Sequence, residues 1–174
     1  MKTKYVASSF VAAILFAAAV TLAQSSPARD SVVGGAKLST VAGQTATTEL
    51  KFENIVKDKK VALVGELKFE WAKKAEKLGV AILVSPANQN LVAGKLTVTD
   101  NIANLEARGR MRVIRKGVTT VYEGKVEALI TDMGKATPDG FALQFTPKDG
   151  SEVFRFEAKT AKGNLTVKKA GNAP

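Results

Sequence analysis

From Gly35 almost to the end of the chain, apolar residues recur at every second position. Leu50 and Phe52 alternate with Glu49, Lys51 and Glu53. Val61, Leu63, Gly65, Leu67, Phe69 and Trp71 form one stripe, with Glu66, Lys68 and Glu70 on the other face. Leu96 and Val98 repeat the pattern, as do Leu105, Ala107, Gly109, Met111 and Val113 between Glu106, Arg108, Arg110 and Arg112. A period of two sends alternate side chains to opposite faces of a strand. Val80 to Val84 is a continuous apolar run that Pro86 ends. The single helix-like window, residues 72–78, is too short to fold alone. The pattern predicts an all-β fold: an antiparallel β-sandwich or flattened β-barrel of about nine or ten strands.

Two hairpins can be read from the residues, the first of them to its register. With Lys116-Gly117 as a two-residue turn, Met111 faces Tyr122, Gly109 faces Gly124, Ala107 faces Val126 and Leu105 faces Ala128. Each of those pairs is small or apolar on both sides, and a slip of one residue would mix the faces. On the other face Arg110 meets Glu123, while Arg108 meets Lys125 and Glu106 meets Glu127, two like-charge rows. Phe141, Leu143 and Phe145, then Phe154, Phe156 and Ala158, form the two strands of a second hairpin, joined across Pro147-Lys148-Asp149-Gly150. A Gly-x-Leu echo at Gly65, Gly94 and Gly163 is unevenly spaced. It reads as glycine placed where strands bend or approach closely, in preference to a repeat.

The N-terminus reads as an address. Lys2 and Lys4 precede an apolar run from Phe10 to Val20, and Thr21-Leu22-Ala23 supplies small residues before Gln24. The run is about half of the roughly 20 residues that a spanning helix needs. Residues 1–23 are therefore expected to be a signal peptide, 24–34 a flexible lead-in, 35–169 a single β-domain and 170–174 a frayed tail. The expected product is exported, periplasmic or extracellular, with no stable membrane span, and loss of Lys2 and Lys4 takes the net charge from +10 to +8. The chain has 174 residues and no Cys, so an exported domain of this kind has no disulfides and relies on its core. It has no His either, which excludes a Ser-His-Asp triad and His-ligated zinc chemistry.

Candidate chemistry is sparse. Arg108, Arg110, Arg112, Arg115 and Lys116 form a basic stripe that could hold an anionic polymer; the competing reading is a solvated sheet face. No aromatic residues interleave with the stripe, which points away from nucleic acid. Phe52, Phe69 and Trp71 could line a cavity for an apolar ligand or simply fill the core. Asp132, Asp139 and Asp149 sit in Gly- and Pro-containing loops, where turn formation is favoured over calcium binding. Glu66 with Glu70, or Glu123 with Glu127, could serve as paired carboxylates, but each pair lies in a charged alternating row. No catalytic residue, metal ligand or cofactor site is assigned. One Trp and few Tyr leave no aromatic girdle for an outer-membrane barrel.

The order of motifs resembles a group of uncharacterised exported bacterial β-rich proteins. The matching residues are Gly34-Gly35, Thr47 to Phe52, Gly65 to Phe69, Gly94 to Val98, Gly124 to Ala128, Asp132-Met133-Gly134, Asp139-Gly140-Phe141 and Gly163-Asn164-Leu165. Residues 72–90 fit poorly. The resemblance implies export and an all-β fold and brings no activity. The expected function is a non-catalytic exported β-domain that binds through its surface in the cell envelope or extracellular matrix. The alternatives are a lipocalin-like carrier of an apolar ligand, or an assembly subunit exchanging strands with 24–34 as donor.

Overall fold

The computed structural model describes residues 29–86 and 91–171. It contains β1 (Ser31–Ser39), β2 (Thr45–Lys57), β3 (Lys60–Lys73), β4 (Leu78–Val84), β5 (Leu91–Val92), β6 (Gly94–Thr99), β7 (Ile102–Arg115), β8 (Val118–Thr131), β9 (Gly140–Pro147) and β10 (Phe154–Lys168). The helix-like window holds a single 3-10 turn, Lys74–Glu76. All pairings are antiparallel. The order β1-β2-β3-β4-β7-β8-β9-β10 returns to β1, closing a ring of eight strands. Of the two expected architectures, the barrel forms.

Local chemistry sets the hairpins. Lys116 and Gly117 both have positive φ, 50° and 86°, the combination whose twist matches that of the flanking strands. The β7–β8 ladder then runs from Arg115↔Val118 to Ile102↔Thr131 in the register read from the sequence. Asp58 and Lys59, also both at positive φ, make the equivalent turn between β2 and β3. The expected second hairpin forms as β9–β10, with Phe145 opposite Phe154, Leu143 opposite Phe156 and Phe141 opposite Ala158.

Alternation becomes burial. Inward residues from every wall form one apolar core, including Val32, Leu38, Leu67, Ile82, Leu105, Val126, Ile130 and Leu165. Phe52 and Phe69 are 1% and 0% exposed. Phe69 is enclosed by the rings of Phe141, Phe154 and Phe156, with centroids at 6.1, 5.9 and 5.1 Å. The outward rows are charged, so the barrel is apolar inside and charged outside, the reverse of one whose outer wall meets lipid. No helix among the described residues is long and apolar enough to cross a membrane.

The end of the expected lead-in, residues 31–34, is corrected by β1. Ser31 to Gly34 pairs with Lys168 to Leu165 on one side and with Glu53 to Leu50 on the other. Val32 is fully buried, and its apolar side chain explains why the segment is wall and not linker. A segment held on both edges is already used as a strand within its own barrel. The expected tail is corrected in part, because the Ala170 N–H donates to Asp30 Oδ1 at 2.7 Å. The signal-peptide segment, residues 24–28 of the lead-in and residues 172–174 of the tail lie outside the described residues.

Two features of the wall are built with unusual parts. First, β9 pairs with β10 only from Phe154 to Lys159, which leaves the second half of β10 without a strand on that side among the described residues. Carboxylates replace it. Buried Asp139 accepts from Leu165 N at 2.9 Å and Met133 N at 3.0 Å, and Asp132 accepts from Val167 N at 3.1 Å and Gly134 N at 2.9 Å. Second, β4 and β6 lie in line along β7. β4 pairs with Leu83↔Arg110 as its last rung, and β6 resumes at Gly94↔Ala107. Along β3, β5 takes up the pairing at Leu63↔Val92 and Val64↔Leu91, beyond the last β3–β4 rung at Leu67↔Val84. The interruption opens a gap beside Arg108 and Gly109.

Candidate functional site

That gap is the mouth of a cleft of about 790 Å³. Its base is made of small residues, Ala93, Gly94, Ala107, Gly109 and Gly124. The sequence can place small residues here because the adjoining backbone comes close. A Cβ on Gly109 would stand 2.8 Å from Leu83 O, and one on Gly124 would stand 2.3 Å from Thr146 O. The rim is charged: Lys95 from β6, Arg108 and Arg110 from β7, Lys125 from β8 and Lys148 after β9 face two carboxylates, Glu106 and Glu123.

Cross-strand pairing decides how those charges are used. Glu106 stands opposite Glu127, and Arg108 opposite Lys125, the two like-charge rows expected from the register. Lys125 relieves both by reaching diagonally, with Nζ 3.1 Å from Glu106 Oε2 and 2.7 Å from Glu127 Oε1. Its hydrogen bonds to Glu127, then to Glu106, hold its pKa above the ordinary lysine value. Gln144 donates to Glu127 Oε2 at 3.3 Å and accepts from Arg155 Nε at 2.9 Å, extending the network across the outer wall. One lysine thus occupies Glu106, leaving Arg108 and Arg110 with no ion pair within 4.0 Å among the described residues. Arg110 stands opposite Glu123, yet no bond joins them. Both guanidinium groups keep their forked donors available to a planar or tetrahedral anion.

The expected basic stripe is divided by the fold. Arg108 and Arg110 line this cleft, and Arg112 lines a second one of about 440 Å³. Arg115 and Lys116 stand at the exposed β7–β8 tip, in neither cleft. The second cleft runs over the outer wall, where Lys37, Thr47, Glu70, Ala81 and Arg112 stand in one cross-strand row. Trp71 contributes to it while packing on Phe154 at 5.9 Å, and its buried Nε1 has no hydrogen-bond partner among the described residues. Phe52 and Phe69 line neither cleft. Asp149 takes the turn role expected of it, accepting from Ser151 Oγ at 2.6 Å and Ser151 N at 3.0 Å. Those bonds, the hydroxyl first, lower its pKa. Of the paired carboxylates, Glu70 is held by Lys68 at 3.3 Å and Glu127 by Lys125, on the outer wall.

Lys95 and Lys148 escaped the sequence reading. Lys95 is the one charged residue of the short strand β6, and only the β6–β7 ladder brings it opposite Glu106. Lys148 belongs to a turn, and its N–H bond to Glu123 O at 2.8 Å fixes it beside β8. Among the described residues no group of three or more acidic side chains is placed to hold a metal ion. Comparisons with family models, curated proteins and solved structures return no match to this chain.

Proposed function

We propose that the barrel is a non-catalytic exported binding domain whose ligand is an anionic polymer of the envelope or matrix, held at the cleft beside β7. The observation that carries this reading is the pair Arg108 and Arg110. They are exposed, close to Lys95 and Lys148, and unpaired while Lys125 engages the neighbouring glutamates. A recurrent sulfate, phosphate or carboxylate group would meet forked donors at the rim and a base of small residues that admits it to the backbone. The net charge, +8 once Lys2 and Lys4 are lost from the +10 of the full chain, favours the approach of a polyanion and makes binding sensitive to salt.

The test is titration of the protein with a sulfated polysaccharide and with neutral dextran, at several salt concentrations. Binding to the sulfated polymer that weakens with salt, with none to dextran, is expected. Replacing Arg108 and Arg110 together by Ala should weaken it by about tenfold, roughly the worth of one charge-assisted contact. Replacing Lys51, exposed on the outer wall and in neither cleft, should change it little. Equal binding to dextran, or a double variant that binds like the parent, would overturn the reading.

A further inference from the structure

The ring is closed, yet one strand still has an open edge. β8 pairs with β7 along its whole length, but β9 reaches only as far as Gly124↔Pro147. Beyond that rung, Val118 to Tyr122 has no strand on the side away from β7 among the described residues. All eight residues from Ile114 to Val121 are exposed, so the hairpin stands clear of the barrel body. The direction of its free backbone groups follows from one bond. Lys148 N donates to Glu123 O, so Glu123 presents its backbone groups on the β9 side. Alternation then puts the N–H and C=O of Thr119 and Val121 on the same side, pointing outward.

The residues along this edge contrast with those of the other protruding hairpin. The β2–β3 tip carries Lys57, Asp58, Lys59 and Lys60, charges of the kind that discourage a second strand. Val118-Thr119-Thr120-Val121-Tyr122 carries no charge and consists wholly of β-branched and aromatic residues. Val118 and Val121 are 67% and 58% exposed. Nothing on this stretch opposes edge-to-edge pairing.

We infer that this edge is a self-association site and that its occupant is β8 of a second copy of this chain. Antiparallel pairing about a two-fold axis at Thr120 sets Thr119 opposite Val121 of the second copy, twice, so the outward N–H and C=O groups of both residues are satisfied. The same register sets Val118 against Tyr122, an aliphatic–aromatic pair of the kind that stabilises ladders. The segment is therefore complementary to itself without a charge clash. A five-residue ladder is small beside the roughly 800 Å² per partner of a stable complex, so the dimer is expected to depend on concentration. This inference stands on strand geometry alone and does not require the polymer-binding reading.

Sedimentation velocity over a wide concentration range reads the association directly. The parent should shift from monomer to dimer, and Val121→Lys should weaken association by roughly tenfold or more through the charge placed on the edge. Circular dichroism of Val121→Lys should match the parent, since Val121 is exposed. The register is tested separately in this cysteine-free chain by Thr120→Cys, whose sulfur would face its copy across a non-hydrogen-bonded pair with Cα atoms about 4.5 Å apart. Oxidation should give a disulfide dimer with Thr120→Cys and little with Val56→Cys at the opposite tip. A parent that is monomeric throughout, association unaffected by Val121→Lys, or equal crosslinking at both positions would each overturn the inference.

Discussion

Close approach of backbones is what the glycines of this barrel make room for. Gly65, Gly94 and Gly163, the three that head the Gly-x-Leu echo, would each bring a Cβ within 2.0–2.2 Å of a carbonyl oxygen on the adjoining strand. The echo therefore marks three places where the wall turns sharply, and no duplication is needed to explain it. Gly65 is the most constrained, with φ of 138° as well as the clash with Lys51 O. Gly65→Ala is expected to cost roughly 3 kcal/mol or more, from strain and overpacking together. Gly43 also has positive φ, but open space surrounds it. Gly43→Ala should cost only about 1 kcal/mol, the penalty of the left-handed conformation alone. Urea unfolding of the two variants beside the parent separates the contributions, and equal losses would sink the close-approach argument. The same scale shows what escaped the sequence reading. Arg108 was visible as a charged strand residue, but its lack of a partner depends on the diagonal reach of Lys125, which a side-chain rotamer decides and no spacing encodes.

Hairpins were legible because their partners lie close in sequence and a slip of one residue is punished. The Lys116-Gly117 turn and the apolar face from Leu105 to Met111 fix the β7–β8 ladder, and every rung follows. The β1–β10 seam had no such signal, since its partners lie at opposite ends of the chain. Ser31 to Gly34 looked like linker for the same reason: its Ser, nearby Pro27 and Gly-Gly composition is ambiguous until two long-range ladders claim it. The collinear β4 and β6 were equally hidden, because the interruption between them was indistinguishable from an ordinary connection. The loop from Asp132 to Asp139 was read as turn chemistry, and it does more, standing in for the missing end of β9. Asp139→Ala would leave the Leu165 and Met133 N–H groups without their acceptor, at about 1–3 kcal/mol for each. Amide hydrogen exchange should accordingly accelerate at Leu165 and Met133, while the β7–β8 amides keep their protection except for the share lost to lower global stability. Uniform acceleration with no excess at Leu165 would show that the carboxylate is not what closes this edge.

On the scale of the molecule, the ring follows chain order from β1 to β4 and from β7 to β10, β4 meets β7 across the intervening β5 and β6, and the seam from β1 to β10 joins the two ends of the barrel. An up-and-down ring of this kind has no privileged starting strand, because the seams differ mainly in whether a short turn spans them. The ends of the barrel make that idea testable. Ala170 N lies 2.7 Å from Asp30 Oδ1, so a short Gly/Ser linker can join them without crossing the interior. Val41 sits fully exposed in the β1–β2 turn, a natural place for new termini. A permutant that begins at Ala42 and ends at Val41 converts β10–β1 into a hairpin and leaves β1–β2 as the closing seam. The number of ladders is unchanged and one loop closure replaces another of similar size. Because closure entropy grows only with the logarithm of loop length, stability should remain within about 2 kcal/mol of the parent. The permutant should keep the β-sheet circular dichroism and a single cooperative unfolding transition. Failure to fold would mean that the β1–β2 turn, and not the closed ring, organises the barrel, and the equivalence of its seams would have to be abandoned.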